Sequence, residues 1–355
     1  MKTPFAAGAL HGLVLIAGMA LATCNVLAAD IVIVDRTKLA DQRVREVKLQ
    51  TGDERETYDL QGGLGPAFGI TIDEEKNTYV TRQGDAPDFV GSIEVRRHGA
   101  DDFETLVPAD SYVNGGLARP FYPIIRGDTL FVSSWLSHQV LMFDRNTGEP
   151  LGAFVDVDVN TGLGEGGLVN PRGIKFGPDG NLYVNSSGSN ETLVYDGESG
   201  EYLGVFLDTA AHGIYVPCGI VFDPRGRVVI ASASQETNPD TGEFEGGFAV
   251  FDWDGNRLVR VTPGAVCGLE RTPDGRILAG ATGINQLLAY SFSKDWLENE
   301  VEVLRYESKV PDMVHRRFDK TRREFAGPNP PGAGGGGSAA RWWSDSWPPG
   351  ATDRR

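Results

Sequence analysis

Histidine and cysteine are scarce in this chain of 355 residues, which contains five histidines and three cysteines. So few histidines leave little material for a site in which several imidazoles hold a metal ion. Basic residues are outnumbered by acidic ones, 33 to 49, and the formal net charge is −16. Because such a surface repels phosphate backbones, we do not expect a nucleic acid as a partner. Beyond the N-terminal region no run of about 18 apolar residues occurs, so we expect no transmembrane helix in the mature chain.

The first 29 residues have the pattern of a secretory signal peptide. Lys2 supplies the positive start, residues 13–22 are apolar, and Ala28 and Ala29 offer small residues for cleavage. An alternative is lipoprotein processing at Cys24, which we favour less because Thr23 fits poorly before the cysteine. We therefore expect an exported protein, either periplasmic or extracellular.

A repeated unit follows, and residues 170–206 show it most clearly. Short apolar stretches predict four strands, at residues 173–176, 182–184, 193–195 and 202–206. A tight turn at residues 178–181 separates the first two strands, with Pro178 presetting φ and Gly180 taking a positive φ.

The same unit recurs about every 50 residues. Its anchor positions, each in the first strand, are Gly69, Tyr122, Gly173, Gly219 and Gly268. An isolated four-stranded sheet leaves both apolar faces in water, so such units must pack radially against one another. The sequence therefore predicts an all-β fold, a β-propeller of four-stranded blades. A β-sandwich would not explain why the same turn residues recur at a fixed period.

We assign residues 30–308 to the propeller, with five complete blades from Gly69 onward. Residues 31–35 and 45–49 are predicted to be the third and fourth strands of a further blade that lacks its first two. This pattern favours six blades, one of them incomplete. The alternative is five blades with an extra N-terminal hairpin.

The unit resembles the NHL repeat. The resemblance rests on residues 171–184 (PRGIKFGPDGNLYV) and their four counterparts, and it covers roughly residues 31–307. The broader propeller group of SMP-30/gluconolactonase-like and streptogramin-lyase-like proteins is similar too. These motifs consist of residues that form the turns and the core. The resemblance therefore implies the fold and leaves the function open.

Blade topology predicts where a binding site would lie. Residues just before the anchor positions and residues just after the second strands should share one end of the central channel. This channel face should be polar, with aromatic and arginine side chains suited to a small anionic or sugar-like ligand. The candidate ligand-binding residues are Phe68, Arg82, Phe121, Trp135, His138, Arg172, Asn185, Asn190, His212 and Thr282.

The resemblance also raises an enzyme hypothesis. SMP-30-like lactonases use acidic and Asn metal ligands at the channel, whereas the ring positions here carry no carboxylate. His138, His212 and Glu270 are the weak candidates for a divalent metal ion, and no cofactor is assigned. The leading interpretation is an exported binding or scaffold module for a small molecule or a protein, without catalysis. The alternative is a metal-dependent hydrolase or lyase with its site at the channel mouth.

Cys218 and Cys267 precede the anchor glycines of adjacent blades, so they should occupy equivalent ring positions near the axis. An even cysteine count in an exported protein permits a disulfide, and we predict one between them. The alternatives are two buried thiols or a soft-metal site with His212.

The repeat ends near residue 308. Residues 309–325 are basic and are predicted to be a connecting segment or short helix. Residues 326–355 combine a Gly/Pro/Ser-rich linker with three tryptophans, a composition typical of a disordered tail. The oligomeric state is left open.

Overall fold

The chain folds almost entirely into β-strands, as the repeat predicts. A computed structural model describes residues 30–35, 42–48, 54–60, 64–223, 225–236, 245–262, 264–271, 276–281, 286–292 and 301–307. The predicted signal peptide (1–29), basic segment (309–325) and tail (326–355) lie outside these residues. Two short 3₁₀ turns, Glu165–Gly167 and Ala210–His212, interrupt the strands. None of the helices in the described part of the chain has the length and apolar character needed to cross a membrane.

Twenty-three strands form six sheets within the described residues. The first sheet has three strands, β1 (Asp30–Asp35), β2 (Arg43–Lys48) and β3 (Glu54–Asp59). Two four-stranded sheets follow, with β4 (Ala67–Ile72), β5 (Thr78–Arg82), β6 (Ser92–Arg96) and β7 (Glu104–Val107), and then β8 (Pro120–Arg126), β9 (Thr129–Ser134), β10 (Gln139–Asp144) and β11 (Pro150–Val155).

Three further four-stranded sheets complete the series. They contain β12 (Pro171–Phe176), β13 (Leu182–Ser186), β14 (Glu191–Tyr195) and β15 (Tyr202–Asp208), then β16 (Pro217–Phe222), β17 (Val228–Ser232), β18 (Gly247–Phe251) and β19 (Arg257–Val261), and finally β20 (Val266–Arg271), β21 (Ile277–Ala281), β22 (Gln286–Phe292) and β23 (Val301–Glu307).

Each four-stranded sheet is an antiparallel meander, and the sheets are arranged as propeller blades. The first strands β4, β8, β12, β16 and β20 lie side by side in chain order, so they line the axis. The predicted fold class, an all-β propeller of four-stranded blades, is confirmed. The count of six blades with one incomplete stays a prediction.

The N-terminal sheet differs from its sequence prediction. Its first strand, β1, lies beside the axial strand β4, and a third strand, β3, follows β2. The assignment of these segments as a third and fourth strand was therefore wrong. The sequence of β3, ERETYD, lacks the apolar alternation that identifies a strand, which is why it was missed.

Hydrophobic residues fill the wedges between adjacent sheets. Between the sheets that begin with β4 and β8, for example, Val95 and Ile93 share one cluster with Leu130 and Val132, and all four are completely buried. Burying each such side chain contributes about 1.5–3 kcal/mol. The core is thus a series of packed interfaces that hold the blades in a ring.

The anchor glycines allow the axial strands to approach closely. A Cβ built on Gly173 would lie 2.0 Å from the carbonyl oxygen of Cys218 in the next blade, and one on Gly69 would lie 2.0 Å from that of Phe121. No side chain fits at these distances, so glycine is required. At these two positions the glycine is therefore required by the close packing of adjacent axial strands.

Candidate functional site

The strand register brings the predicted ligand-binding positions to one end of the ring. Pro120 at the start of β8 pairs with Ser134 at the end of β9, and Pro171 pairs with Ser186 in the same way. We call this end the channel-mouth face. The opposite end carries the turns between first and second strands and between third and fourth strands, and we call it the turn face.

Five residues occupy equivalent places in the axial strands at the channel mouth. Each lies one residue after the strand's first residue, where the register shifts, and the set is Phe68, Phe121, Arg172, Cys218 and Cys267. The ring centroids of Phe68 and Phe121 are 4.4 Å apart. The sequence thus placed these five residues together correctly, including Phe121, whose blade has a shorter turn.

Cys218 and Cys267 form a disulfide, with their Cα atoms 5.0 Å apart. This bond joins the axial strands β16 and β20 directly at the channel mouth. The predicted pairing is confirmed, and it is compatible with an exported protein.

Tyr122 reaches across the axis. It takes the anchor position of its blade, where most of the other blades have glycine, and its hydroxyl donates a hydrogen bond to the carbonyl oxygen of Cys267. The same hydroxyl lies 3.8 Å from Sγ of Cys218. Because β8 and β20 are separated by two other axial strands, this side chain fills part of the ring's interior.

Arg172 lies beneath the channel mouth, almost completely buried. Its guanidinium carbon is 4.9 Å from the centroid of the Phe121 ring, and Nη1 is 3.9 Å from Sγ of Cys218. Burial lowers the pKa of Arg172, and the nearby positive charge of Arg119 lowers it further. Arg172 therefore adds positive potential to the floor of the face.

Arg119 lies above Arg172, beside two aromatic rings. Its guanidinium carbon is 4.8 Å from the ring centroid of Trp135 and 5.0 Å from that of Phe89. Burial alone lowers the pKa of Arg119, and no described carboxylate forms an ion pair with it. Trp135 in turn lies 6.3 Å from Phe121. We call the series Phe89, Arg119, Trp135, Phe121 and Arg172 the cation–ring row.

His138 supports this row from behind. Its Nδ1 accepts a hydrogen bond from the backbone N–H of Asn170 at 3.0 Å, and the Asn170 side chain donates to the carbonyl oxygen of Trp135 at 3.0 Å. Burial lowers the pKa of His138, which favours the neutral ring that this acceptor role requires. His138 is one of the predicted ligand residues. In the structure it holds Asn170, which in turn contacts the backbone of Trp135.

Arg82 is engaged in the fold, and its role in ligand binding stays a prediction. Its side chain is completely buried, with Nη1 3.0 Å from Glu94 Oε2 and Nε donating to the carbonyl oxygen of Gly65 at 2.9 Å. The charge is neutralised by a residue of the neighbouring strand β6. The sequence could not show this pairing, since Glu94 follows a loop of variable length.

Asn185 and Asn190 are also engaged in the fold. The buried Asn185 amide donates to the carbonyl oxygens of Cys218 and Gly219, and so ties β13 to the next blade. Asn190 has a positive φ of 60°, and its Oδ1 accepts the backbone N–H of Val216 at 2.8 Å. These hydrogen bonds hold the fold together, and the roles of Asn185 and Asn190 in ligand binding stay predictions. Thr282 lies outside the described residues.

The three weak candidates for a metal ion are not brought together. His138 is bound to Asn170, whereas His212 packs edge-on against Phe251 at 5.3 Å. Glu270 lies in β20 and is 3.7 Å from Nζ of Lys175. Within the described ranges, no three His, Cys, Asp or Glu side chains are grouped so that they could hold a metal ion.

Sequence reasoning missed Arg119 and Tyr122. Tyr122 had a visible signal, because it replaces a glycine at an anchor position. Arg119 occupies a repeated position, directly before the proline that starts the axial strand, where the next two blades have Asn170 and Val216. Together these side chains give the face a cationic and aromatic character suited to a planar or anionic ligand.

Fold and face together define an all-β propeller with a cationic, aromatic channel mouth. No protein-family model matches the chain, and no curated protein sequence matches it. Solved propeller structures are similar to it. A gluconolactonase from Xanthomonas campestris has a TM-score of 0.50 at 18% identity, over 70% of this chain and 78% of that one.

Two other solved structures are similar at lower scores. A chain from a nidogen/laminin complex has a TM-score of 0.49 at 17% identity, over 70% of this chain and 85% of that one. Virginiamycin B lyase from Staphylococcus aureus has a TM-score of 0.46 at 10% identity, over 71% and 72%. At these identities the likeness concerns the fold. The likeness to the gluconolactonase structure agrees with the propeller fold that the repeat predicts.

Proposed function

We propose that this protein is an exported binding module that holds a small molecule or a protein partner at its channel-mouth face. The observation that carries the proposal is the cation–ring row, which gathers two arginines and three aromatic rings from three blades. In a chain of net charge −16, a half-buried arginine between rings, with a second arginine buried beneath it, is a local concentration of positive charge. Such concentrations are typical of recognition sites.

The connectors around this face support binding of a partner. The segment before β8 exposes 95% of Tyr112, and the segment before β12 exposes 92% of Val159. Both segments run from the outer strand of one blade to the axial strand of the next, so they rim the channel mouth. Exposed aromatic and apolar side chains on such a rim are contacts that a ligand or protein could cover.

A library of neutral, sugar-like and anionic compounds, screened by thermal shift, tests this proposal. Compounds that raise the melting temperature should lose most of that effect in Trp135→Leu. The matched control is Trp253→Leu, because Trp253 is partly exposed on the turn face. If the Trp253 variant abolished binding and the Trp135 variant did not, the site would lie elsewhere.

Export has its own test. N-terminal sequencing of the protein recovered from the cell envelope or medium should start near Asp30 and show removal of residues 1–29. A start at a lipidated Cys24 would support anchoring, and retention of Met1 would contradict export.

A metal-dependent hydrolase is the second candidate. The fold shared with a gluconolactonase favours it. Lactone hydrolysis that depends on added divalent metal and is lost in His138→Ala or Glu270→Ala would establish this function instead. Metal analysis should be carried out on protein purified without chelator and on the same two variants. It shows whether a metal is bound to the protein itself or acts only when it is added to the assay.

A further inference from the structure

Arg119 differs from the other arginines whose guanidinium groups lie over rings. Arg126, at the far end of the same strand β8, lies 4.3 Å from the Phe176 ring centroid, and its Nη2 is 3.0 Å from Oε1 of Glu198. Arg119 has the ring contacts, yet no described residue accepts a hydrogen bond from its guanidinium, and its Nε is buried. Ring contacts use the faces of a guanidinium, whereas its N–H groups point outward along the edge. The edge of Arg119 is therefore not satisfied by the part of the protein that the structure describes.

The backbone conformation of Arg119 is also unusual for this residue type. Its φ is 50°, in the left-handed region, and the equivalent residue of the next connector is Asn170 with a φ of 53°. Asparagine adopts this conformation readily, whereas other non-glycine residues adopt it at a cost. Strained residues cluster at functional sites. The fold thus requires this conformation in three successive connectors, since Val216 has a φ of 50° at the same place, and an arginine here has a backbone cost that asparagine would avoid.

The surroundings of Arg119 specify the shape and charge of a ligand. A guanidinium edge matches the two oxygens of a carboxylate. The half-buried Trp135 offers its ring to a flat apolar body, and the buried Arg172 adds positive potential from below. A nearby depression of about 210 Å³, lined in part by Asp85 and Asp88, has the wrong sign for an anion.

We propose that Arg119 binds the carboxylate of a small aromatic acid, whose ring lies against Trp135. This inference rests on the proposed function, because it names the ligand class of the channel-mouth face. It concerns the edge of one guanidinium, so it can fail while the face still binds other molecules.

Titration of the full chain with sodium benzoate, followed by ligand-observed NMR, tests the inference. Benzamide, which keeps the ring and loses the charge, and inorganic phosphate, which keeps the charge and loses the ring, are the comparison probes. Benzoate should bind roughly tenfold or more tightly than either, as expected for a charge-assisted pair. Arg126→Gln, which removes an arginine over a ring on the turn face, should leave benzoate binding unchanged.

Arg119→Asn is the decisive variant, because asparagine suits the left-handed backbone. It should weaken benzoate binding roughly tenfold or more while the urea midpoint stays equal or rises. Arg119→Lys keeps the charge but loses the planar guanidinium with its two parallel donors. Its affinity for benzoate should lie between those of the unmodified protein and of Arg119→Asn. Equal binding of benzoate and benzamide, stronger binding of phosphate, no benzoate binding, or unchanged binding in Arg119→Asn would each overturn the inference. If library compounds still lose binding in Trp135→Leu in any of those cases, the proposed function survives.

Discussion

The two ends of the propeller are held together by different forces. On the turn face, ion pairs connect neighbouring sheets, since Arg145 contacts Asp73 and Glu75 of one sheet and Asp128 of its own. At the channel mouth, a disulfide, buried hydrogen bonds and ring contacts join the sheets. The charges of Arg145 and of the buried Arg82 are already neutralised by carboxylates, whereas Arg119 at the mouth forms no ion pair with a described carboxylate. The difference teaches which arginines to examine for binding.

The largest expected effect is on the disulfide that closes the channel mouth. Cys218 and Cys267 are 49 residues apart, and a loop of that length gives about 4 kcal/mol of stabilisation in the chain-entropy account. The double variant Cys218→Ser/Cys267→Ser should lose about that much in urea unfolding, and reductant should have the same effect on the native protein. Two reactive thiols in the oxidised, denatured mature protein would show that the bond is absent.

The second-largest effect is on ion pairs, and the same Glu→Gln substitution compares a buried pair with an exposed pair on the turn face. Glu94→Gln leaves the buried Arg82 without a negative partner and should cost about 3 kcal/mol or more. Glu198→Gln on the turn face breaks a pair whose carboxylate is 88% exposed, and should cost less than about 0.5 kcal/mol. Urea unfolding of both variants measures the difference. Equal losses would mean that burial does not separate the two faces.

The sequence predicted the ring positions and the disulfide because both follow from a period of about 50 residues. It did not show contacts made by residues outside the period. Arg82 contacts Glu94 across a loop of irregular length, and Asn185 contacts carbonyl groups of the next blade. Neither contact leaves a pattern in the chain. Polar residues that the sequence offers for ligand binding thus also connect strands and blades.

Acid should remove the stabilisation that the Asp73 carboxylate contributes on the turn face. Burial alone would raise the pKa of Asp73, but hydrogen bonds from Asn77 and Tyr79 and the charge of Arg145 outweigh it and lower that pKa. A lowered pKa stabilises the fold above the unfolded value of about 3.9, and this stabilisation is lost as pH falls below it. Asp73→Asn should cost about 2 kcal/mol at pH 7 and lose less further stability between pH 5 and pH 3 than the unmodified protein. Urea midpoints at pH 7, 5 and 3 give the comparison.

The smallest effect concerns backbone strain at the channel mouth. Val216 has a φ of 50°, which is costly for a β-branched residue, and its equivalent in the preceding connector is Asn170. Val216→Asn should raise stability by roughly 1 kcal/mol or less, as measured by the urea midpoint. Val159→Asn, at an exposed position without a positive φ, should leave it unchanged. A loss of stability in Val216→Asn would show that the side-chain packing of Val216 matters more than its backbone.

The hydroxyl of Tyr122 joins two axial strands, β8 and β20, that are not neighbours in the ring. The propeller therefore has a contact across its diameter in addition to the contacts between adjacent blades. A displacement of the strand that carries Cys267 can reach β8 directly, without passing through β12 and β16.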